Sequence, residues 1–208
     1  MRVAGIVLAG GEGRRLGGVV KPLLRVEGIP ILTKTLDKMR PFASPLLVST
    51  GAIAPERFDG FSCDGLVPDA EGPSAGPLAG LFAAVSYLRQ QSDPPEWLLS
   101  TAGDCPDLPE IMPETLLSTT ADDVDVVFAS FAGQSYPPNA VWRFRVLNAH
   151  FDALGGAPQG RGPRQLISPE RQQTVDFSDR FASNPFEGLN TLSDLVRLAR
   201  KRPKRTAF

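Results

Sequence analysis

Cysteine and histidine are scarce in this chain, which has two cysteines and one histidine among 208 residues. Cys63 and Cys105 provide neither a disulfide framework nor the spacing of a zinc site, so we expect both to act as small apolar side chains in a reducing cytoplasm. No apolar run approaches the ~20 residues that a membrane span requires. The chain opens directly on an apolar strand, so we expect neither a signal peptide nor membrane contact. His150 lies among apolar residues and is expected to be a structural or surface residue rather than a catalyst.

Net charge is also nearly absent, because 22 lysines and arginines almost balance 23 aspartates and glutamates. Six of the cations lie at the end of the chain: Arg197, Arg200, Lys201, Arg202, Lys204 and Arg205. A basic tail can contact nucleic acid or an acidic partner. Because neither a basic face nor interleaved aromatic residues appear elsewhere, we expect a solvated terminus and no binding of nucleic acid.

One α/β domain covering residues 1–208 is the simplest organisation for a chain of this length. Short apolar runs alternate with stretches whose apolar residues recur at helical spacing. The predicted strands are 3–8, 46–48, 65–67, 97–101 and 124–129, and the predicted helices are 31–39, 78–88 and 192–202. Such alternation is typical of a mostly parallel, twisted, Rossmann-like sheet with helices on both faces. The last helix is expected to bury its apolar side, formed by Leu192, Leu195, Val196 and Ala199.

The most informative feature is a glycine-rich turn directly after the first strand. It runs from Leu8 to Gly18 as L-A-G-G-E-G-R-R-L-G-G, and Lys21 follows three residues later. Glycine lets the backbone adopt positive φ and approach a ligand closely. Its N–H groups can then surround phosphate oxygens while Arg14, Arg15 and Lys21 add positive charge. The alternative is an ordinary glycine-rich turn with solvated cations.

Two common phosphate-binding motifs do not fit this turn. A dinucleotide fingerprint beginning at Gly11 has Leu16 where glycine is required, and a Walker A loop beginning at Gly13 has Val19 where lysine is required. The turn instead resembles the signature L-A-G-G-x-G-x-R-(M/L)-G-G-x-x-K of the nucleotidyltransferases. Within them it is most similar to the molybdenum cofactor guanylyltransferases, the MobA family.

Three later segments agree with the same family in their order along the chain. They are P-D at 68–69 with G-P-L-A-G at 76–80, D-C-P at 104–106, and F-E-G-L-N-T-L-S-D-L at 186–195. The resemblance is close over residues 1–110, looser near the C-terminus and poor over residues 111–174. It implies a nucleotide-binding part at 1–110, and an acceptor-binding part with a C-terminal helix at 111–208.

The same resemblance implies which residues form the site. Catalytic roles are implied for Lys21, Asp104 and Arg15. Nucleotide binding is implied for Leu8, Ala9, Gly10, Gly11, Gly13, Lys21, Asp69, Gly76, Gly80 and Asp104. Binding of Mg²⁺ is implied for Asp104 and Asn190.

The predicted topology agrees with this site, because ligands of such sheets bind beyond the carboxyl ends of the strands. Gly10, Asp69 and Asp104 each follow a predicted strand, so we expect them to meet at one rim. Magnesium prefers one or two carboxylates, with water and phosphate oxygens completing its shell. Asp104 is the best candidate for that carboxylate. Both Asp104 and Asp69 can equally be read as turn-forming residues at strand ends.

The chain departs from the family pattern at four positions. These are Val20 and Ser49 in place of Asp and Asn, and Gly188 and Leu192 in place of Asn and Pro. The first two departures bear on base specificity more than on phosphate chemistry. On the acceptor side, the two arginines of G-R-G-P-R at 160–164 can hold a terminal phosphate. The alternative is a solvated loop.

The activity implied by the resemblance is transfer of GMP from GTP to molybdopterin cofactor, which releases pyrophosphate and forms the guanine dinucleotide. Its substrates are GTP and the cofactor, and its partners are proteins that deliver or receive that cofactor. We expect a monomer or a weak homo-oligomer. Three alternatives stay open: a cytidylyltransferase for molybdopterin, a sugar-phosphate nucleotidyltransferase, and a non-catalytic nucleotide- or cofactor-binding protein.

Overall fold

The computed structural model describes residues 1–11, 17–69, 76–155 and 162–200. Residues 197–200 are described by their backbone alone. The strands are β1 Val3–Leu8, β2 Arg25–Val26, β3 Ile29–Pro30, β4 Leu46–Gly51, β5 Gly65–Pro68, β6 Trp97–Ala102, β7 Val126–Phe131, β8 Gln134–Arg143 and β9 Gln172–Asp176. The α-helices are α1 Ile31–Met39, α2 Pro77–Leu88, α3 Met112–Ser118, α4 Phe144–Leu154 and α5 Leu192–Arg200.

The described residues form a seven-stranded sheet in the order β5-β4-β1-β6-β8-β7-β9. β1 pairs in parallel with β4 and β6, and β4 pairs in parallel with β5. β8 runs antiparallel to both of its neighbours, β6 and β7, whereas β9 is parallel to β7. The prediction of a mostly parallel sheet is therefore confirmed. β2 and β3 form a separate small hairpin.

Helices cover both faces of this sheet. Successive side chains of a strand point to opposite faces, and β1 shows this directly. Val7 packs in the apolar cluster that includes α1 and α3, whereas Ile6 packs in the cluster that includes α2. Gly5 is glycine for a steric reason, because a Cβ atom there would lie 2.6 Å from Leu46 Cδ1.

The two helices nearest the glycine turn begin at prolines or directly after one. α1 follows Pro30, and its buried residues recur at helical spacing: Ile31, Leu32, Thr35, Leu36 and Met39. α2 has Pro77 in its first turn and follows Gly76, whose φ of 64° is accessible to glycine without strain. Both helices lie where the sequence predicts them.

The predicted strands are confirmed, but several extend further than the sequence indicates. β4 continues to Gly51 and β6 to Ala102, while the strand predicted at 124–129 lies at Val126–Phe131. The poorly matched middle of the chain forms α3, α4 and the long strand β8, which the sequence pattern did not reveal.

The expected burial of the last helix is wrong for two of its residues. Leu192 is 68% exposed and Val196 is 49% exposed, while Leu195 is half-buried and the side chain of Ala199 lies outside the described residues. Apolar spacing predicts a helix with an apolar side, but burial also requires a neighbouring element to cover that side. No helix in the described part of the chain has the length and apolar character needed to cross a membrane.

Candidate active site

The turns that follow β1, β5 and β6 meet at one rim of the sheet. The amide of Gly103, after β6, donates a hydrogen bond of 2.9 Å to the carbonyl of Leu8, at the end of β1. Ala9 N–H donates to the Ser49 carbonyl on β4 at 2.9 Å, and Asp69 N–H donates to the Gly51 carbonyl at 3.2 Å. Because these main chains are bonded directly to one another, the structure brings the predicted glycine, Asp69 and Asp104 segments together.

Gly10 and Gly51 form the wall of this rim through backbone contact. A Cβ atom at Gly10 would lie 2.5 Å from Gly51 Cα, and Gly51 has φ of 60°. Any side chain at either position would separate β1 from β4. A Cβ at Gly11, in contrast, would meet no atom within 4 Å. Gly13 and Arg15, two further predicted site residues, lie outside the described residues.

Lys21 lies between the two residues expected to hold a metal ion. Its Nζ donates to Asp104 Oδ2 at 3.1 Å and to Asn190 Oδ1 at 2.9 Å. The lysine side chain is 14% exposed and the Asp104 side chain 24% exposed, so this ion pair is partly shielded from water. The short 3-10 turn Lys21–Leu23, in which Pro22 is buried, anchors the lysine backbone.

The turn that carries Asp104 is attached to the segment before α5. The Leu189 amide donates to the Asp104 carbonyl at 3.2 Å, and the Cys105 thiol donates to the Phe186 carbonyl at 3.3 Å. Burial raises the pKa of the Cys105 thiol, so Cys105 stays protonated and serves as a donor rather than a nucleophile. These two bonds bring Asn190 towards Asp104.

Asn139, on β8, supports the same turn and is a residue that the sequence analysis missed. Its Oδ1 accepts hydrogen bonds from Thr101 Oγ1 at 2.8 Å and from the Ala102 amide at 3.0 Å. The side chain is 1% exposed. The backbone pairing of β6 and β8 ends at Ser100 with Ala140. Beyond that pair, the Asn139 side chain connects the two strands towards Asp104. A polar residue at the edge of the apolar run A-V-W is the signal that could have identified it.

Asn190 is oriented by the first turn of α5. The amides of Asn190 and Thr191 both donate to Asp194 Oδ2, at 2.9 and 2.8 Å, while the Asp194 amide donates to Thr191 Oγ1 at 3.2 Å. This reciprocal pattern is a capping box, which satisfies amides at a helix start. Asn190 Nδ2 also donates to the Gly188 carbonyl at 3.2 Å.

Asp69 lies on the other side of the rim, beside Ser49. Ser49 Oγ donates to Asp69 Oδ1 at 3.3 Å. Burial raises the pKa of the Asp69 carboxyl, and the hydrogen bond from Ser49 opposes this rise. Gly80 lies in α2, where a Cβ would be 2.6 Å from Leu8 Cδ2 and 2.7 Å from Ser49 Oγ. Gly80 therefore allows α2 to pack closely on β1 and β4.

The donor set around Lys21 suits a small divalent cation. Asp104 and Asn190 offer hard oxygen atoms, the ligands that Mg²⁺ prefers, and both already accept from one positively charged group. Among the described residues there is no group of three or more His, Cys, Asp or Glu that could hold a metal ion. A cation here would complete its shell with water and phosphate oxygens, as Mg²⁺ usually does.

The predicted acceptor loop at 160–164 is only partly described. Arg164 lies with its guanidinium 6.0 Å from the Phe128 ring centroid, and Gly162 is exposed. Arg161 lies outside the described residues. His150 lies in α4, away from the hydrogen bonds that build the rim. A role for the loop in binding the acceptor therefore stays a prediction.

The chain is similar in sequence to known proteins over most of its length. The sequence model of the MobA-like NTP transferase domain matches residues 5–175. Molybdenum cofactor guanylyltransferase of Mesorhizobium japonicum is 33% identical, and the match covers 95% of both chains. The enzyme of that name from Rhodopseudomonas palustris is 34% identical over 142 residues, which cover 68% of this chain and 67% of the relative.

A solved structure agrees with these matches. The homologue of Rv0371c from Mycobacterium sp. strain JC1 superimposes with a TM-score of 0.71 and 25% identity, covering 96% of this chain and 98% of the other. The sequence match spans the glycine turn, Lys21, Asp69 and Asp104 within residues 5–175. On the sequence, the sheet and the converging rim together, this chain belongs to the MobA-like NTP transferase domain family.

Proposed function

We propose that this chain is a molybdenum cofactor guanylyltransferase, which transfers GMP from GTP to molybdopterin cofactor and releases pyrophosphate. The observation that carries the proposal is the Lys21 ammonium held between Asp104 and Asn190, next to the glycine turn. The name and the near-complete coverage of the Mesorhizobium relative support the choice of substrates.

The reaction joins anions, so its main requirement is neutralisation and alignment of charge. An oxygen of the acceptor's terminal phosphate attacks the α-phosphorus of GTP, and the bond to the β-phosphate oxygen breaks, so pyrophosphate leaves. The attacking group is already an anion and needs no general base. This fits a rim whose described residues contribute main-chain groups, the Lys21 ammonium and the carboxylates of Asp69 and Asp104.

Lys21 is proposed to place its positive charge next to the triphosphate and so to neutralise part of its negative charge. Its Nζ bonds to Asp104 and Asn190, and phosphate oxygens are stronger anionic partners that can draw it to the nucleotide. Asp104 and Asn190 would hold Mg²⁺. Bound there, Mg²⁺ would act as a Lewis acid on the phosphate oxygens. The role of Arg15 as a second cation stays a prediction.

The nucleoside is proposed to lie along the rim between the glycine turn and Asp69. The Leu8 carbonyl and the Ala9 amide already bond to neighbouring turns, which makes this backbone rigid where Gly10 and Gly11 follow. The half-buried Asp69, with Ser49 on its Oδ1, offers an acceptor for donor groups of the base or ribose. Gly76, at the start of α2, is proposed to let the chain pass close to the ligand.

A turnover assay tests the proposed function. Purified protein, Mg²⁺, GTP and molybdenum-loaded cofactor should yield pyrophosphate and the guanine dinucleotide, detected by chromatography with mass spectrometry. The same reaction with CTP, ATP or UTP should be much slower, and chelation of the metal should stop it. If CTP or a sugar phosphate is used and GTP is not, the assignment is wrong. Binding of GTP without turnover would instead support the non-catalytic alternative.

A further inference from the structure

Gly188 touches the carboxylate of Asp104 more closely than any other residue type could. A Cβ atom built on Gly188 would lie 2.9 Å from Asp104 Oδ1 and 2.9 Å from Oδ2. Such a contact is shorter than side chains tolerate, so either the carboxylate or the Gly188 backbone would have to move. Both carboxylate oxygens are involved, so the whole carboxylate group lies against the glycine.

The backbone conformation gives no separate reason for glycine at this position. The φ of Gly188 lies outside the left-handed region, in which other described glycines such as Gly51 and Gly76 are found. The left-handed backbone conformation that favours glycine is therefore not the reason for glycine here. What distinguishes glycine from alanine at 188 is the space beside the Asp104 carboxylate.

Gly188 also lies between the two proposed cation ligands in the hydrogen-bond network. Its carbonyl accepts from Asn190 Nδ2 at 3.2 Å, and the next residue, Leu189, donates its amide to the Asp104 carbonyl at 3.2 Å. The Leu189 bond holds the segment before α5 against the turn that carries Asp104, and the Asn190 bond orients the Asn190 side chain within that segment. Close approach of this segment places Asn190 Oδ1 and Asp104 Oδ2 on the same Lys21 ammonium.

We propose that Gly188 is a positioning residue for the cation site, an inference that rests on the proposed function. The missing side chain lets the segment before α5 close on Asp104 and leaves room for the Asp104 carboxylate in the orientation shared with Asn190. Position 188 is one at which this chain departs from the family pattern, which has Asn there. A side chain at 188 would turn the carboxylate away from the cation.

The effect of such a side chain should fall on the site rather than on folding. The Asp104 carboxylate is the end of a side chain that is 24% exposed, so it can rotate towards solvent and exchange its contact with Lys21 for water. The backbone bond from Leu189 to Asp104 does not depend on that rotation. Weak cation binding with near-normal stability is therefore the expected signature.

The test compares Gly188→Ala with Ser92→Ala as the control. Ser92 is exposed and precedes β6, whereas Asp104 follows β6, so Ser92 lies at the opposite end of that strand. Mn²⁺ is the probe, titrated by electron paramagnetic resonance with GTP present. We expect Gly188→Ala to bind Mn²⁺ at least ~10-fold more weakly than the native chain, in the range seen when supporting residues of metal sites are changed. Ser92→Ala should bind it normally, and both variants should keep Tm within about 3 °C.

A double-mutant cycle shows whether the effect passes through Asp104. Calorimetry gives the Kd with which Mn²⁺–GTP binds to two variants, Asp104→Ala and the double variant that also carries Gly188→Ala. With no carboxylate to displace, the second substitution should change this Kd less than ~2-fold. The variant Gly188→Asn tests whether the Asn of the family pattern would supply an additional ligand to the cation. We expect this variant to bind Mn²⁺ more weakly than the native chain.

Four results would overturn the inference: native Mn²⁺ affinity in Gly188→Ala, a large fall in its Tm, a full additional loss in the Asp104→Ala background, or affinity in Gly188→Asn equal to or above native. Each of them leaves the proposed function intact. A native chain that binds no Mn²⁺ in the presence of GTP would overturn both proposals, and the turnover assay distinguishes that case.

Discussion

Lys21 and Asp104 form an ion pair of 3.1 Å across the rim of the sheet, and Asn190 accepts from the same ammonium at 2.9 Å. The lysine comes from the turn after β1, the carboxylate from the turn after β6, and the amide from the segment before α5. These two contacts join the first, middle and last parts of the described chain at the point where phosphate chemistry is proposed.

Replacing Lys21 should weaken the use of GTP without unfolding the protein. Lys21→Met removes a charge-assisted contact, worth about 1.5–3 kcal/mol, so kcat/KM for GTP should fall roughly 10- to 150-fold. Steady-state kinetics with pyrophosphate detection checks this. Lys34→Met, which removes a half-buried lysine paired with Glu27 at 3.3 Å, is the control and should behave as the native chain. Equal kinetics for both variants would remove Lys21 from the site.

Replacing Asp104 should abolish turnover through loss of the cation. Asp104→Ala leaves Asn190 as the single proposed protein ligand, so we expect kcat to fall by at least ~100-fold and the Mg²⁺ dependence to shift to higher concentration. Turnover measured over a Mg²⁺ series gives both quantities. Asp93→Asn, an exposed carboxylate paired with Arg2, is the control. An Asp104→Ala enzyme with ordinary metal dependence would contradict the assignment.

Asp69 should make the protein less stable at neutral pH than an uncharged residue would. Burial raises the pKa of Asp69 in the folded state above its ordinary value of 3.8, so folding favours the protonated form. The stability that this group contributes is present below pH 3.8 and is lost as pH rises through the folded pKa. Asp69→Asn should therefore raise Tm at pH 7, and the gain should shrink as the pH falls towards 4.

Thermal unfolding of both proteins between pH 4 and 8 measures that difference. Ser49→Ala is the companion variant. It removes the hydrogen bond that opposes the rise in pKa, so the Tm at pH 7 should fall slightly and Asp69→Asn should gain more in that background. A gain from Asp69→Asn that does not change with pH would show that the carboxyl titrates as an exposed group does.

Asn139 should matter for both stability and rate. Asn139→Ala leaves the Thr101 hydroxyl and the Ala102 amide buried without this acceptor, which should lower the free energy of unfolding by about 2–4 kcal/mol. Because these bonds lie just before Asp104, kcat should fall while KM for GTP changes little. Urea unfolding and kinetics measure the two effects.

Thr101→Val is the matched variant for this prediction. It removes the hydroxyl donor but keeps the Ala102 bond, so its loss of stability should be smaller and its kcat close to native. A kcat of native size in Asn139→Ala would show that the bonds serve folding alone.

The sequence alone predicted the parts of the protein that depend on local pattern. β1, α1 and α2 lie at or within one residue of the predicted bounds, because apolar spacing and flanking glycine or proline determine short elements directly. The meeting of Gly10, Asp69 and Asp104 was also predictable, since parallel strands end at a common rim. The roles of these residues, the division of the chain at residue 110, and the partners that handle the cofactor stay predictions.

The tertiary structure decided which distant residues touch. Asn139 reaches the Asp104 turn because β8 enters the sheet antiparallel to β6, and no local pattern records that pairing. Gly188 resembled a simple loss of the family's Asn until its contact with Asp104 was known. Leu192 has the spacing of a buried residue and is 68% exposed, since the helix has an apolar side that the described neighbours leave uncovered. Local sequence determines which element forms, whereas contacts and burial depend on how elements far apart in the chain pack together.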